Sequence, residues 1–193
     1  MLIGGDFFDG PAVDFYSITE PFKSIQSTHG IYFVSGNHES YQPHQPYIPA
    51  IKNAGIKVLM NEWETIDGVT FAGIDYLSSD DANKQKALME NMHIPKDHPV
   101  VLVKHVPVDM KIAYDVGVDL QLSGHTHQGQ LWPFSLITKK MYKGYDFGLN
   151  NYPRVADTNK KQMKIYTSSG AFGWGPPYRI GTKNEIVVIH FVQ

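Results

Sequence analysis

Residues 120–127 read LQLSGHTH, a short apolar run that turns at a glycine into a pair of histidines. The run from Leu120 to Leu122 is typical of a buried strand, and Gly124 marks the turn that ends it. Similar transitions occur at three earlier segments: GGDFFD (4–9), GNHE (36–39) and KHVP (104–107). Polar groups at strand ends are typical of α/β folds, in which a buried sheet holds functional loops at its carboxyl edge.

The remaining sequence alternates short aliphatic runs with segments of helical spacing, which predicts a mixed α and β chain. The predicted strands are 2–4, 31–34, 56–59, 69–74, 100–103, 120–122, 163–167 and 185–191. The predicted helices are 18–27, 47–54, 81–92 and 109–115. Residues 132–159 show little periodicity, and we expect them to form a long excursion beside the strand ends. Because no repeat or linker is visible, we expect a single domain over residues 1–193.

Composition limits the classes of protein that the chain can belong to. Its 193 residues are 42% hydrophobic and 12% aromatic, which is enough to close a core and excludes intrinsic disorder. A net charge of −2 without basic runs argues against stable nucleic-acid binding. The apolar runs are far shorter than the ~20 residues of a membrane-spanning helix, so we expect the chain as given to be soluble. The absence of cysteine excludes disulfides but leaves the compartment open.

Most of the side chains that could bind a metal lie in the four strand-end segments. Each segment alone is a weak signal, because glycine and aspartate are ordinary turn residues and histidine pairs are more often solvated than ligating. All four together favour a metal site, because Asp, Asn and His supply the oxygen and nitrogen ligands that manganese, iron and zinc accept. The candidates are Asp6, Asp9, Asn37, His38, His105, His125 and His127.

The order of these segments resembles the calcineurin-like metallophosphoesterases. That family's motifs run Asp-x-His, Gly-Asp-x-x-Asp, Gly-Asn-His-Asp/Glu, a His after an apolar strand, and Gly-His-x-His. The chain is most similar to the bacterial branch with Gly-His-Thr-His-x-Gly-Gln, here residues 124–130, and a late Gly-rich loop, here residues 169–179. The resemblance implies a four-layer αββα sandwich of two mixed β-sheets flanked by helices. It also implies hydrolysis of phosphoesters by a hydroxide that bridges two metals and attacks phosphorus in line, and we expect phosphodiesters to be favoured over monoesters.

The resemblance further implies a role for each candidate. Two divalent ions, manganese, iron or zinc, would share Asp6, and His127 would bind the first of them. The second ion's ligands would be completed by Asn37, His105 and His125. The histidine that protonates the leaving oxygen or stabilises the transition state would be His38, and Asp9 would orient it.

The family's first motif, Asp-x-His, does not occur in this chain, since only Met1-Leu2-Ile3 precedes Gly4. The first ion would then keep only Asp6 and His127, so we expect as few as one bound ion. One sheet would lack its first strand and show an open edge. We therefore expect an N-terminally truncated chain, cytoplasmic or membrane-associated in its full-length form. Substitute ligands could come from His44 or Asp75, although a surface histidine and a turn-capping carboxylate are the ordinary interpretations.

Several alternatives stay open at this stage. The chain could be a metal- or phosphate-binding domain with little turnover, or a homo-oligomer in which a second copy covers the open sheet edge and donates ligands. The expected substrate is a small-molecule or lipid-linked phosphoester. Arg179 could clamp a phosphate or be an ordinary surface residue. Five aromatic residues could line a substrate groove, but packing onto the sandwich is favoured for them: Trp132, Tyr142, Tyr145, Trp174 and Tyr178.

Overall fold

The computed structural model describes residues 1–10, 13–41, 44–154 and 161–192. Its strands are β1 (Leu2–Ile3), β2 (Ile31–Phe33), β3 (Ile56–Val58), β4 (Glu62–Ile66), β5 (Val69–Gly73), β6 (Val100–Val103), β7 (Leu120–Ser123), β8 (Gly148–Tyr152) and β9 (Met163–Thr167). Its helices are α1 (Phe15–Thr19), α2 (Asn37–Ser40), α3 (Ile48–Asn53), α4 (Ala82–Asn91), α5 (Met110–Asp115) and α6 (Phe134–Met141), with 3-10 helices at Glu20–Ser24 and His127–Gly129. None of the described helices has the length and apolar character that crossing a bilayer requires.

The strands form two sheets. The smaller sheet has the order β1-β2-β3 and is parallel throughout. The larger sheet has the order β4-β5-β6-β7-β9-β8, with antiparallel pairs at its two edges and parallel pairs between them. Among the described strands β1 has β2 as its one neighbour, so its other side is an open edge, as the sequence analysis expects.

Buried side chains define the four layers. Alternate residues of β2 face opposite ways, so Ile31 and Phe33 share a cluster with the helices α1 and α3. Tyr32 faces the larger sheet. It belongs to the inter-sheet cluster, whose buried members are Tyr32, Val34, Leu59 and Val103. On the far side, β6 packs against α4 and α5 through Leu102. The predicted αββα sandwich is therefore confirmed.

The topology brings four loops to one end of the sandwich. The strands β1 and β2 are parallel neighbours in the smaller sheet, and β6 and β7 are parallel neighbours in the larger one. Parallel strands end at the same edge of a sheet, so the loops that follow them lie side by side. These loops carry the segments that the sequence analysis singled out.

Two predicted elements are wrong. No single helix covers the predicted range 18–27. Instead α1 ends at Thr19, and a 3-10 helix that contains Pro21 follows it. Proline lacks the N–H that an α-helix interior needs, so the α-helix does not continue through it. The strand predicted at 185–191 is not formed, and Ile186 and Val188 are exposed. A strand needs a hydrogen-bonded neighbour, and no described strand pairs with this segment.

The excursion predicted at 132–159 contains regular structure in its described part. It holds α6 and the edge strand β8, and residues 155–159 lie outside the described ranges. The sequence of β8, GLNNY, is rich in residues that disfavour strands, and its pairing with β9 supplies the conformation instead.

Candidate metal centre

Four acceptor atoms converge where β1, β2, β6 and β7 end. The Oδ1 atom of Asn37 lies 2.7 Å from Nδ1 of His125 and 3.1 Å from Nε2 of His105. The same Nε2 atom lies 3.0 Å from Oδ2 of Asp6 and 3.2 Å from Nδ1 of His125. Within the described ranges, Asp6, His105 and His125 form the group of acidic and imidazole side chains that is close enough to share a cation.

The hydrogen bonds around this group test whether a cation fits. The carbonyl of Gly4 accepts a 2.7 Å hydrogen bond from Nδ1 of His105, so in neutral His105 the Nε2 atom presents its lone pair. That lone pair faces the Asn37 Oδ1 atom and the Asp6 carboxylate, which are both acceptors. A proton on Nε2 could satisfy only one neighbour well, whereas a divalent cation would take lone pairs from all of them. The residues therefore fit a cation.

The backbone bends sharply at the same residues. Asp6, His125 and His127 have positive φ angles of 54°, 67° and 48°. A residue other than glycine pays a steric cost in this region, and such conformations cluster at functional sites where the surrounding structure enforces them. The fold therefore stores strain at the turns that present these side chains.

Glycine lets two of the loops approach closely. A Cβ atom added to Gly36 would lie 2.5 Å from the backbone nitrogen of Asp6 and 2.9 Å from Cε1 of His105. A Cβ on Gly5, where φ is +96°, would lie 2.6 Å from Nδ1 of His105. Gly124 differs, because an added Cβ meets nothing within 4 Å and its φ is ordinary. Close approach thus explains the glycine at positions 5 and 36 but not at 124.

Gly36→Ala should weaken cation binding by roughly tenfold or more, because overpacking costs ~1–3 kcal/mol and forces the carboxylate and imidazole apart. Isothermal titration with Mn²⁺ measures this change. Gly124→Ala is the matched control, since the added methyl group enters open space, and its affinity should stay within about twofold of the wild type. Equal losses of Mn²⁺ affinity in the two variants would show that close contact at Gly36 does not limit the approach of the loops.

The electrostatics favour the ligating protonation states. Burial raises the pKa of Asp6, but the neighbouring His105 imidazole and the N–H of His38 outweigh it and lower the pKa to about 2. Burial and the neighbouring His105 lower the pKa of His125 to about 4. At neutral pH the carboxylate is therefore ionised and the His125 imidazole is neutral, which are the forms that bind cations.

Glu39 holds this end of the fold together, although the sequence analysis gave it no role. Its buried carboxylate accepts four backbone hydrogen bonds. Oε2 receives the N–H groups of Asp6 at 2.8 Å and Gly36 at 2.6 Å, and Oε1 receives those of Phe7 at 2.8 Å and Phe8 at 3.0 Å. Burial raises the pKa of Glu39, and the N–H groups of Gly36, Phe8 and Asp6 oppose that shift. The signal for this role in the sequence was the acidic residue at the end of GNHE (36–39).

The predicted pair of His38 and Asp9 also lies together. Nδ1 of His38 is 3.0 Å from Oδ1 of Asp9, and the backbone N–H of His38 donates to Oδ1 of Asp6 at 2.9 Å. The His38 ring is therefore beside the converging acceptors but outside them. The Asp9 carboxylate is largely exposed at the rim.

His127 is not part of the close group of Asp6, His105 and His125, and it lies against Arg179. The Nη2 atom of Arg179 is 3.4 Å from Nδ1 of His127, and Nη1 donates to the His127 carbonyl at 2.9 Å. Nη2 also donates to the carbonyls of Ser169 at 2.7 Å and Phe172 at 2.6 Å. Burial and the guanidinium lower the pKa of His127. Arg179 is thus an internal brace between two loops rather than an ordinary surface residue.

Gln130 is a second brace that sequence reasoning missed. Its Nε2 atom donates to the carbonyls of Trp174 at 2.7 Å and Pro176 at 3.0 Å, and its Oε1 atom accepts from the Trp174 N–H at 2.6 Å. It therefore fixes the late Gly-rich loop beside the histidine turn. Its place as the last residue of the Gly-His-Thr-His-x-Gly-Gln motif was the available signal.

The aromatic residues divide into two groups. Tyr145 is buried, and the half-buried Tyr142 has its ring 6.2 Å from that of His125. The expected packing is therefore found for these two. It is wrong for the other three, which are exposed: Trp132, Trp174 and Tyr178.

The two substitute ligands do not join the centre. His44 is exposed. Asp75 accepts hydrogen bonds from the hydroxyl groups of Ser35 at 2.6 Å and Ser78 at 3.3 Å, so its carboxylate is engaged with serine side chains and not with the centre.

Comparisons with known proteins agree with this geometry. An uncharacterized metallophosphoesterase of Helicobacter pylori is 33% identical over 198 residues, which cover 100% of this chain and 50% of the relative. An uncharacterized metallophosphoesterase of Campylobacter jejuni is 29% identical over 194 residues, which cover 98% of this chain and 50% of the relative. A Bos taurus protein named transmembrane protein with metallophosphoesterase domain is 29% identical over 205 residues, covering 96% and 44%.

The chain thus spans about half the length of the curated relatives it matches. No solved structure matches it significantly. The family model for calcineurin-like phosphoesterases matches residues 1–129, which is most of the chain and includes every acceptor of the centre. The chain therefore belongs to the calcineurin-like phosphoesterase family.

Proposed function

We propose that the chain hydrolyses phosphoesters with a divalent cation held by Asp6, Asn37, His105 and His125. The observation that carries this proposal is the convergence of their four acceptor atoms, which leaves lone pairs facing one another. A bound divalent cation supplies Lewis acidity toward a phosphoryl oxygen and lowers the pKa of water. Imidazole mixed with carboxylate and amide oxygen suits manganese, iron or zinc.

His38 is the proposed general acid of the reaction. Asp9 accepts a hydrogen bond from Nδ1 of His38 and so orients the ring, whose imidazolium form also carries a proton on Nε2. The Nε2 proton is then available to the leaving oxygen of the ester. The backbone bond from His38 to Asp6 fixes this acid relative to the cation ligands. Asp9 acts through His38 and is a positioning residue.

A second cation, as in a dinuclear centre, would use Asp6 and His127. Two protein ligands are fewer than the three that catalytic zinc sites retain, so this cation is expected to bind more weakly than the first. Its occupancy decides between efficient turnover and the alternative of a metal-binding domain with little turnover.

The proposed substrate class is phosphodiesters rather than monoesters. A monoester carries close to two negative charges at neutral pH, whereas a diester carries one. The Nη atoms of Arg179 already donate to the carbonyls of His127, Ser169 and Phe172, so these atoms are not available to a second charged oxygen of a substrate. The described centre therefore complements the smaller charge better. Small-molecule and lipid-linked diesters both fit this argument.

The first test combines metal content with turnover. The chain is loaded with Mn²⁺ or Zn²⁺, desalted, and measured by inductively coupled plasma mass spectrometry, and then assayed on bis(p-nitrophenyl) phosphate and p-nitrophenyl phosphate. One to two retained ions with faster diester cleavage support the proposal. Retained ions without turnover of either substrate would favour the binding-domain alternative. Specific activity that rises with protein concentration would show that a second copy contributes to the site.

His125→Ala should lower the retained metal at least tenfold, because it removes one of four ligands from the first cation. Turnover should fall in proportion to the metal that is lost. His190→Ala is the matched control, since His190 is exposed and distant in sequence from the ligand loops, and it should retain wild-type metal content. Wild-type metal content in His125→Ala would contradict the ligand assignment.

A further inference from the structure

The helix α6 exposes its apolar side chains to solvent and turns polar side chains toward the protein. Ser135, Thr138 and Tyr142 are half-buried on its inner side. Phe134, Ile137 and Met141, which share a face by their spacing, are 54%, 54% and 68% exposed. A helix on the surface of a soluble protein ordinarily turns its apolar stripe toward the core. Here the outward stripe is the apolar one.

Neighbouring loops extend this surface. Trp132 is largely exposed, and its backbone N–H donates to the carbonyl of Ile180, which is also exposed. Gln130 holds the exposed Trp174 in the adjoining loop. We call the combined surface the α6 face, defined by these residues: Trp132, Phe134, Ile137, Met141 and Ile180.

The charged side chains of the segment that contains α6 all have one sign. Residues 131–145 include Lys139, Lys140 and Lys143 but no Asp or Glu. All three lysines are exposed, and within the described residues none of them forms an ion pair. An occupant of this face therefore needs an apolar interior and a negatively charged rim.

We propose that the α6 face docks on an anionic lipid bilayer. The apolar side chains would enter the boundary between headgroups and acyl chains, and Trp132 would lie at the interface, where indole rings are enriched. The lysines would pair with anionic headgroups. A second copy is a poorer occupant, because two-fold pairing of identical surfaces would bring the three lysines of each chain close to those of the other.

This docking would bring the candidate centre close to the membrane. The inner side of α6 carries Tyr142, whose ring contacts that of His125 at 6.2 Å. The outer side of the same helix would lie in the headgroup region, so about one helix diameter, ~10 Å, separates the centre from the lipid. The inference goes beyond the proposed hydrolysis and does not depend on it.

Vesicle sedimentation tests the proposal. The chain is mixed, in EDTA so that hydrolysis plays no part, with extruded vesicles of phosphatidylcholine or of equal phosphatidylcholine and phosphatidylglycerol. We expect sedimentation with the anionic vesicles, weaker sedimentation with the neutral ones, and loss of binding as salt is raised. No sedimentation with anionic vesicles at low salt would overturn the proposal.

Variants of the apolar stripe locate the contact. The double variant Ile137→Ser and Met141→Ser should raise the vesicle concentration for half-binding at least tenfold. The control variant Tyr16→Ser and Ile25→Ser removes two exposed apolar side chains from the layer that covers the smaller sheet, and its binding should be unchanged. Equal binding by the two variants would overturn the assignment to α6. So would gel filtration showing a dimer that the α6 variant abolishes while vesicle binding persists.

Charge variants test the anionic partner. The α6 variant carries three substitutions: Lys139→Gln, Lys140→Gln and Lys143→Gln. The control removes the same charge from α4 and α5: Lys84→Gln, Lys86→Gln and Lys111→Gln. We expect at least tenfold weaker binding to anionic vesicles for the first variant and less than threefold for the second. Equal losses would show that binding follows net charge and would overturn docking by this face.

Discussion

His38→Ala should reduce kcat by roughly 10²–10⁴ while leaving the metal content of the chain unchanged, because the ring is the proposed general acid and does not lie among the converging acceptors. Diesters with alkyl leaving groups should lose more than p-nitrophenyl diesters, since an alkoxide needs the proton and a nitrophenolate hardly does. Steady-state kinetics on both substrates, with metal analysis of the same samples, measures the two effects.

Asp9→Asn is the companion variant. It should lower kcat by about tenfold and retain metal, because the exposed carboxylate acts only through His38. Loss of metal in His38→Ala equal to that in His125→Ala would make His38 a ligand. A full loss of metal in Asp9→Asn would do the same for Asp9.

Glu39→Ala should lower the free energy of unfolding by about 3–5 kcal/mol. The substitution leaves four backbone N–H groups without their acceptor, and each buried orphan costs ~1–3 kcal/mol before water or relaxation recovers part of it. Glu39→Gln should lie between this variant and the wild type, because one amide oxygen can replace only one of the two carboxylate oxygens. Urea denaturation followed by circular dichroism measures these differences.

Glu90→Ala is the matched control for Glu39. Glu90 lies on the exposed side of α4, where its ion pair with Lys86 is long at 3.9 Å, so its loss should change the unfolding free energy by less than about 0.5 kcal/mol. A Glu39→Ala variant as stable as this control would mean that the four N–H groups find other acceptors. The brace would then not be needed for the fold.

Buried strands could be predicted from the sequence because their environment is uniform. The strand β6 is apolar at every position and buried on both faces, so its run of VVLV has no other interpretation. The edge strand β8 could not be predicted, because its backbone conformation comes from β9 and not from its own residues. The segment 185–191 shows the converse, a strand-like pattern that stays unpaired among the described strands.

The candidate centre divides in the same way. The Asp, Asn and His candidates at the strand ends were named from chemistry, and the family resemblance then assigned Asp6, Asn37, His105 and His125 to one ion. The braces could not be named so, because Glu39 and Gln130 act on backbone groups of distant segments. Which N–H or carbonyl groups a side chain will meet depends on loop conformations that no local pattern encodes.

The four acceptors are divided between the two sheets. Asp6 and Asn37 follow strands of the smaller sheet, whereas His105 and His125 follow strands of the larger one. The spacing between the two pairs is therefore set by the inter-sheet cluster, whose close packing transmits a change of even one methylene. The ionic radius that such a centre would prefer would thus depend on the hydrophobic core. Selection for one cation over another can act on side chains that never touch it.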